Sequence, residues 1–253
     1  MTLQDTYRIE VEKWDTLAGV ERPDESLMLE DADFAAHARR VRTLTRVAEF
    51  LGDLDGRRVL ECGCGLGVLS TLMALSGARV SAFDLSPGSI EVARRRAELH
   101  GVADAVEFTV AAGEDLPYED DRFDAMIGKG VLHHLDASLA APELHRVLRP
   151  GGRAAFAEPL GTNPVVAFAR DHVPYPHKNP RGADVPLDYD DIRAWGAPFR
   201  EAGHEEIELL SMVRRALGIR RPLPALARAD DRLLALRPQL GRWCRYVVLT
   251  MVK

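Results

Sequence analysis

The chain has 253 residues, 46% of them hydrophobic and 28% charged, with a formal net charge of −6. That length buries a substantial core and suits one α/β domain with attachments, while the acidic balance argues against the phosphate neutralisation a nucleic-acid binder needs. No apolar run reaches membrane-spanning length, the first residues lack the basic start and apolar core of a signal peptide, and Cys62, Cys64 and Cys244 make neither a disulfide framework nor a zinc set. The expectation is a cytoplasmic protein acting on a small molecule, with no nucleic-acid, membrane or metal partner; oligomeric state is not readable.

Residues 1–54 read as a mostly helical N-terminal cap, in which Phe34, Ala38, Val41, Thr45, Ala48 and Leu51 mark one face before "GDLDG" breaks it. From residue 55 to 253, apolar stretches alternate between strand-like and helix-like patterns, the rhythm of a wound sheet. Strands are expected at 57–61, 79–84, 106–111, 123–128, 153–159, 205–213 and 245–252. Helical spacing falls at 68–75, 89–99, 139–148 and 190–202, with Gly77, Gly101, Gly151 and Gly203 at the helix ends. The fold class is therefore α/β, a doubly wound and mostly parallel seven-stranded sheet. Residues 160–188, with five prolines, interrupt the rhythm and read as an insert or lid carrying His172, Tyr175 and His177. The stretch from Arg214 to Arg245 sets nine arginines against Asp230 and Asp231, a solvated helix face or a surface for an anion or partner.

The chemistry concentrates in "VLECGCGLGVLS", residues 59–70. Glycine loses backbone entropy and packs nothing, so Gly63, Gly65 and Gly67 at a strand-to-helix turn point to close approach of the backbone to a ligand. Their spacing is G-x-G-x-G, with Val68 where the dinucleotide fingerprint G-x-G-x-x-G requires its last glycine. Glu61 would repel a diphosphate and suits an ammonium, while Asp84, ending the second strand, can accept hydrogen bonds from ribose hydroxyls. These residues describe a nucleoside with an ammonium-bearing tail and no phosphates.

Together with "AFDLSPGSIEVAR", "GEDLPYEDDRFDAMIGKGVLHHL" and "VLRPGGR", the stretch from Arg57 to Pro159 resembles the class I S-adenosylmethionine-dependent methyltransferases. The resemblance implies a Rossmann-like fold with S-adenosylmethionine as cofactor. It further implies that Gly63, Gly65 and Gly67 line the cofactor with backbone, Glu61 organises its amino end, Asp84 takes the ribose and Leu85 packs on the adenine. Where the family often carries a carboxylate after the third strand, this chain has Ala112; Glu114, or the backbone of Ala112 and Gly113, would then serve the adenine. Gly128 and Lys129 would reach the cofactor tail, mainly through the main chain.

A sulfonium methyl group is already an electrophile, so catalysis needs alignment of the acceptor and, for some acceptors, removal of a proton. Lys129, His134, Glu158 and Tyr175 are the candidate groups, each with a plain alternative as surface, capping or packing residue. His133 and His134 open a helix and point about 100° apart, so at most one faces the methyl group. Tyr7, Trp14, His37 and Tyr175 are aromatic candidates around the mouth, where a ring face would attract the sulfonium. The leading function is methyl transfer to a small molecule through oxygen, nitrogen or carbon. The alternatives are cyclisation of the cofactor to azetidine-2-carboxylate with release of methylthioadenosine, and a non-catalytic nucleoside-binding scaffold.

Overall fold

The computed structural model describes residues 3–19, 23–172, 185–219 and 223–253; Tyr175 and His177 lie outside them, as do the other residues of the proline-rich insert between 173 and 184. The helices are α1 (Leu3–Ala18), α2 (Phe34–Arg40), α3 (Arg42–Leu51), α4 (Val68–Leu75), α5 (Pro87–Leu99), α6 (Ala137–Val147), α7 (Pro164–His172), α8 (Tyr189–Gly196), α9 (Val213–Ala216) and α10 (Pro224–Leu236). The strands are β1 (Arg58–Cys62), β2 (Arg79–Asp84), β3 (Val106–Val110), β4 (Phe123–Lys129), β5 (Leu148–Pro159), β6 (Glu201–Ile207) and β7 (Tyr246–Val252).

They form one seven-stranded sheet in the order β3-β2-β1-β4-β5-β7-β6. The pairs from β3 through β5 are parallel, and β7 runs antiparallel between β5 and β6. Alternation along each strand separates two cores. Leu60 and Cys62 of β1 join Phe123, Phe156 and Trp195 on one face. Val59 joins Leu44, Leu72, Met73 and Ile90 of the helices on the other. Glu61, two residues after Val59, is thereby directed to the face covered by α4.

Strand order reverses between β1 and β4, and parallel sheets of this kind bind ligands in the crevice beyond the carboxyl ends of the strands at that point. The chain enters the crevice four times, after β1, β2, β3 and β4. A fifth element crosses it. On α1, Asp15 accepts hydrogen bonds from the Ser86 hydroxyl (2.5 Å) and the Gly88 amide (3.0 Å), so a carboxylate of the N-terminal segment sits at the positive end of α5.

The structure redraws several boundaries. β5 begins at Leu148, five residues before the expected strand, so Gly151 lies inside it and not at a helix end. The helix expected over 190–202 ends at Gly196, with Pro198 just beyond it, and β6 begins at Glu201, four residues before the expected strand. Gly203 therefore lies inside an edge strand, opposite Thr250, and not at a helix end. The single N-terminal face from Phe34 to Leu51 is divided at Val41, whose extended backbone separates α2 from α3. Within the arginine-rich stretch, Asp230 is buried and accepts from Arg42, Ser211 and the Leu210 amide, while Asp231 pairs with Arg42 and Arg46. Both aspartates of α10 thus tie it to α3. Among the described residues, no helix is long and apolar enough to cross a membrane.

Candidate functional site

At the switch point lies a cavity of about 260 Å³. Its lining comes from the turn after β1 (Glu61, Gly63, Cys64, Gly65), the end of β2 (Phe83, Asp84, Leu85), Ala111 and Gly113 after β3, Lys129 to Val131 after β4, and Glu10 and Trp14 of α1. His134 and Leu135 complete the wall.

The glycines of the first turn have different duties. All three have positive φ, at +65° for Gly63, +49° for Gly65 and +75° for Gly67. A Cβ at Gly63 would lie 2.6 Å from the Val131 side chain, and one at Gly67 2.7 Å from Ala93 of α5. These two let the turn pack against its neighbours. A Cβ at Gly65 would meet nothing within 4 Å, so there the backbone faces the cavity. The turn is pinned from behind by Arg96, whose buried guanidinium donates to the carbonyls of Leu66 and Leu27.

Glu61 forms the acidic floor. It is almost wholly buried, and Ser70 of α4 donates to its carboxyl. Burial, reinforced by the nearby Asp84 charge and opposed by the hydrogen bonds from Ser70, pushes its pKa up to about 8. Asp84 is also raised by burial. Its two oxygens accept the amides of Gly65 (2.8 Å) and Ser86 (3.0 Å), which orients the carboxylate and leaves lone pairs for hydroxyl donors.

Several residues expected near the ligand serve the walls instead. Ala112 and Glu114 are absent from the lining; Glu114 accepts the Asp136 amide at 2.9 Å, joining the turn after β3 to the start of α6. Gly128 is buried inside β4, where a Cβ would strike Phe156 and Val131. Lys129 is exposed at the rim of the lining. Glu158 is fully buried: Oε1 accepts the amides of Val131 (2.9 Å) and Leu132 (3.0 Å), and Oε2 meets His133 Nδ1 at 2.7 Å. It shapes the turn after β4 from below. The neighbouring histidine rings lie against each other, centroids 4.0 Å apart, and not 100° apart as helical geometry predicts; His133 is held by Glu158 and His134 forms part of the cavity wall. His37 pairs with Asp31 at 2.8 Å, away from the lining.

The residue that the spacing arguments missed is Glu10. Tyr7, Glu10 and Trp14 follow one another at intervals of three and four, so they share a face of α1. Trp14 Nε1 donates to Glu10 Oε2 at 2.9 Å, and Glu10 Oε1 lies 3.4 Å from His134 Nδ1. Burial and a hydrogen bond to Glu114 raise the Tyr7 hydroxyl pKa. The face was legible as a helical period; the loops it meets, more than a hundred residues away, were not. Among the described residues, no group of His, Cys, Asp and Glu is arranged to hold a metal ion.

Residues 60–156 match a family model described as a methyltransferase domain. Demethylmenaquinone methyltransferase of Clavibacter sepedonicus is 42% identical over 134 residues, 53% of this chain and 51% of the relative. A ubiquinone biosynthesis O-methyltransferase of Methylocella silvestris is 38% identical over 138 residues, 54% and 53% of the two chains. The chain spans about half the length of these curated relatives. The solved structure of the [4+2]-cyclase SpnF matches with a TM-score of 0.63 at 20% identity, covering 98% of this chain and 94% of that one, a likeness of fold.

Proposed function

We propose that this chain, whose residues 60–156 match a methyltransferase domain, is a class I S-adenosylmethionine-dependent methyltransferase that binds its cofactor at the switch-point cavity and methylates a small molecule. Glu61 carries the reading. A buried carboxyl pushed up to about 8 suits the cofactor's ammonium, which would draw it into its charged form.

The remaining walls fit the same group. Asp84 offers lone pairs to the ribose hydroxyls, Gly65 presents backbone, and Leu85, Phe83, Ala111 and Gly113 supply an apolar slot for the adenine. The cofactor supplies an electrophilic methyl group. The chain's own part is to hold it, to exclude water under α1 and to receive the acceptor's proton. His134 is the side chain placed for that last task, with Lys129 at the rim and Glu158 shaping the turn. Residues 1–54 serve in this reading as a cap, through α1.

Calorimetry with S-adenosylmethionine, S-adenosylhomocysteine and NAD tests the proposal. The expected result is binding of the first two and not of NAD; selective NAD binding, or a folded chain that takes up no nucleoside, overturns it. Incubation with S-adenosylmethionine alone separates transfer from cyclisation, because enzyme-dependent methylthioadenosine would mark the latter.

A further inference from the structure

We propose that the elements seated on the carboxyl ends of β5 and β6, namely α7, α10 and the short 3₁₀ turn Pro238–Trp243, form a peripheral docking surface for an anionic phospholipid bilayer. Pairing places them together. Pro159 at the end of β5 and Ile207 at the end of β6 are both in register with Tyr246, the first residue of β7. The Thr162 hydroxyl donates to the Arg242 carbonyl at 2.8 Å, and Asn163 Nδ2 donates to the Trp243 carbonyl at 2.6 Å, which seats the start of α7 on the 3₁₀ turn. Asp230 takes the Leu210 amide at 2.7 Å and holds α10 over the end of β6. Lys129, which lines the cavity, is in register with Ala157 of β5, so this surface and the cavity share one end of the sheet.

The surface is basic without local neutralisation. Arg228, Arg232 and Leu236 follow at intervals of four along α10 and share its outer face, while Leu233 and Leu234 pack on the core. Arg237 and Arg242 extend the exposed cations past the end of the helix. Among the described residues none of these four guanidiniums meets a carboxylate, whereas Arg46, Arg95 and Arg146 on other helices are each paired with one. The nearest acids are committed elsewhere: Asp230 and Asp231 to Arg42, Glu205 to Arg46, and Glu206 to the Tyr189 hydroxyl. In a chain of net charge −6, a basic patch left open in this way is complementary to a dense anionic surface. Four such groups together favour attachment to one roughly a thousand-fold.

Apolar side chains stand among the arginines and choose between anionic partners. Leu236 is 75% exposed, Phe168 on α7 64%, and Trp243 presents part of its ring beside Arg242. A nucleic-acid backbone gives exposed leucine and phenylalanine nothing to enter; a bilayer interface accepts both, along with the indole. The sequence reading expected no membrane partner because the chain lacks an apolar span, which attachment from one side does not require. Docking here would bring the cavity end of the sheet to the lipid surface.

Sedimentation of the full chain with vesicles tests the proposal. Binding is expected to vesicles of phosphatidylcholine mixed with phosphatidylglycerol, to weaken with added salt, and to be absent with phosphatidylcholine alone. Arg228→Gln combined with Arg232→Gln should weaken partitioning about 30-fold, and Leu236→Ser combined with Phe168→Ser about 10-fold. Both variants replace exposed side chains, so melting temperature and S-adenosylmethionine affinity should stay at the wild-type values. No sedimentation with the anionic vesicles, equal binding to both vesicle types, wild-type partitioning by the arginine variant, tighter binding to a DNA duplex than to the vesicles, or a dimer in solution that the Leu236 and Phe168 variant abolishes overturns the inference. The assay uses no cofactor, so its failure leaves the methyl-transfer reading standing, and a chain that sediments with vesicles but binds no S-adenosylmethionine removes that reading and keeps this one.

Discussion

The floor and the roof of the cavity are built on opposite plans. The floor, from Glu61 to Gly67, is a short continuous segment whose shape follows from backbone: positive φ at its glycines, a strand behind it, a helix ahead and Arg96 bracing its carbonyl. The roof is α1, held through side chains that reach loops far away in sequence; Asp15 and Ser86 are 71 positions apart. A floor of this kind resists substitution wherever a neighbour fills the space of a Cβ, as at Gly63 and Gly67. A roof of this kind gives up one contact at a time, each worth about 1 kcal/mol.

The contrast breaks hardest at Gly67. Gly67→Ala places a Cβ 2.7 Å from Ala93 at a φ of +75°, and strain with overpacking should cost roughly 2–6 kcal/mol. Gly65→Ala, whose Cβ meets nothing, should cost only the strain of its +49° φ, about 1–2 kcal/mol, while losing nucleoside affinity. Equal melting temperatures for the two variants would show that the floor is not rigid.

Next in size is the titration of Glu61. Its folded value, pushed up to about 8, lies above the ordinary 4.5, so its contribution to the unliganded chain is complete below the ordinary value and is lost as pH rises through the folded one. The slope is on the order of 1.4 kcal/mol per pH unit at most. Glu61→Gln should flatten stability between pH 6 and 8 as followed by urea unfolding, and binding of S-adenosylmethionine at neutral pH should release a proton, read by calorimetry in buffers of different ionisation enthalpy. An unchanged slope in the variant would place the titration elsewhere.

Asp84→Ala should weaken S-adenosylmethionine binding about 10- to 100-fold, since charged acceptors contribute ~1.5–3 kcal/mol; equilibrium dialysis checks it, and undiminished affinity would move the ribose away from β2. Smallest is the roof. Asp15→Ala removes acceptors for Ser86 and Gly88 and should cost about 1 kcal/mol, with faster amide exchange confined to α1. Equally accelerated exchange in the turn after β1 would erase the distinction between the two regions.

The sequence by itself determined the alternation of strands with covering helices up to the fifth strand and the glycine turn with the acidic residues Glu61 and Asp84 that line the floor. Those features repeat every two or 3.6 residues or sit within one turn, where spacing alone fixes geometry. The edge strand beginning at Glu201 was not legible, because its backbone follows pairing with β7 while its mostly exposed side chains carry no burial pattern. Glu114 and Glu158 show the same limit at the site: each reads locally as an acid at a strand end, yet one is spent on Asp136 and the other on the turn that carries His133. Only the tertiary structure could decide which carboxylate meets which histidine. The periods of α1 name a face but not what it faces, and Glu10 reaches His134 through the packing of segments that the chain brings together only when the whole sheet is formed.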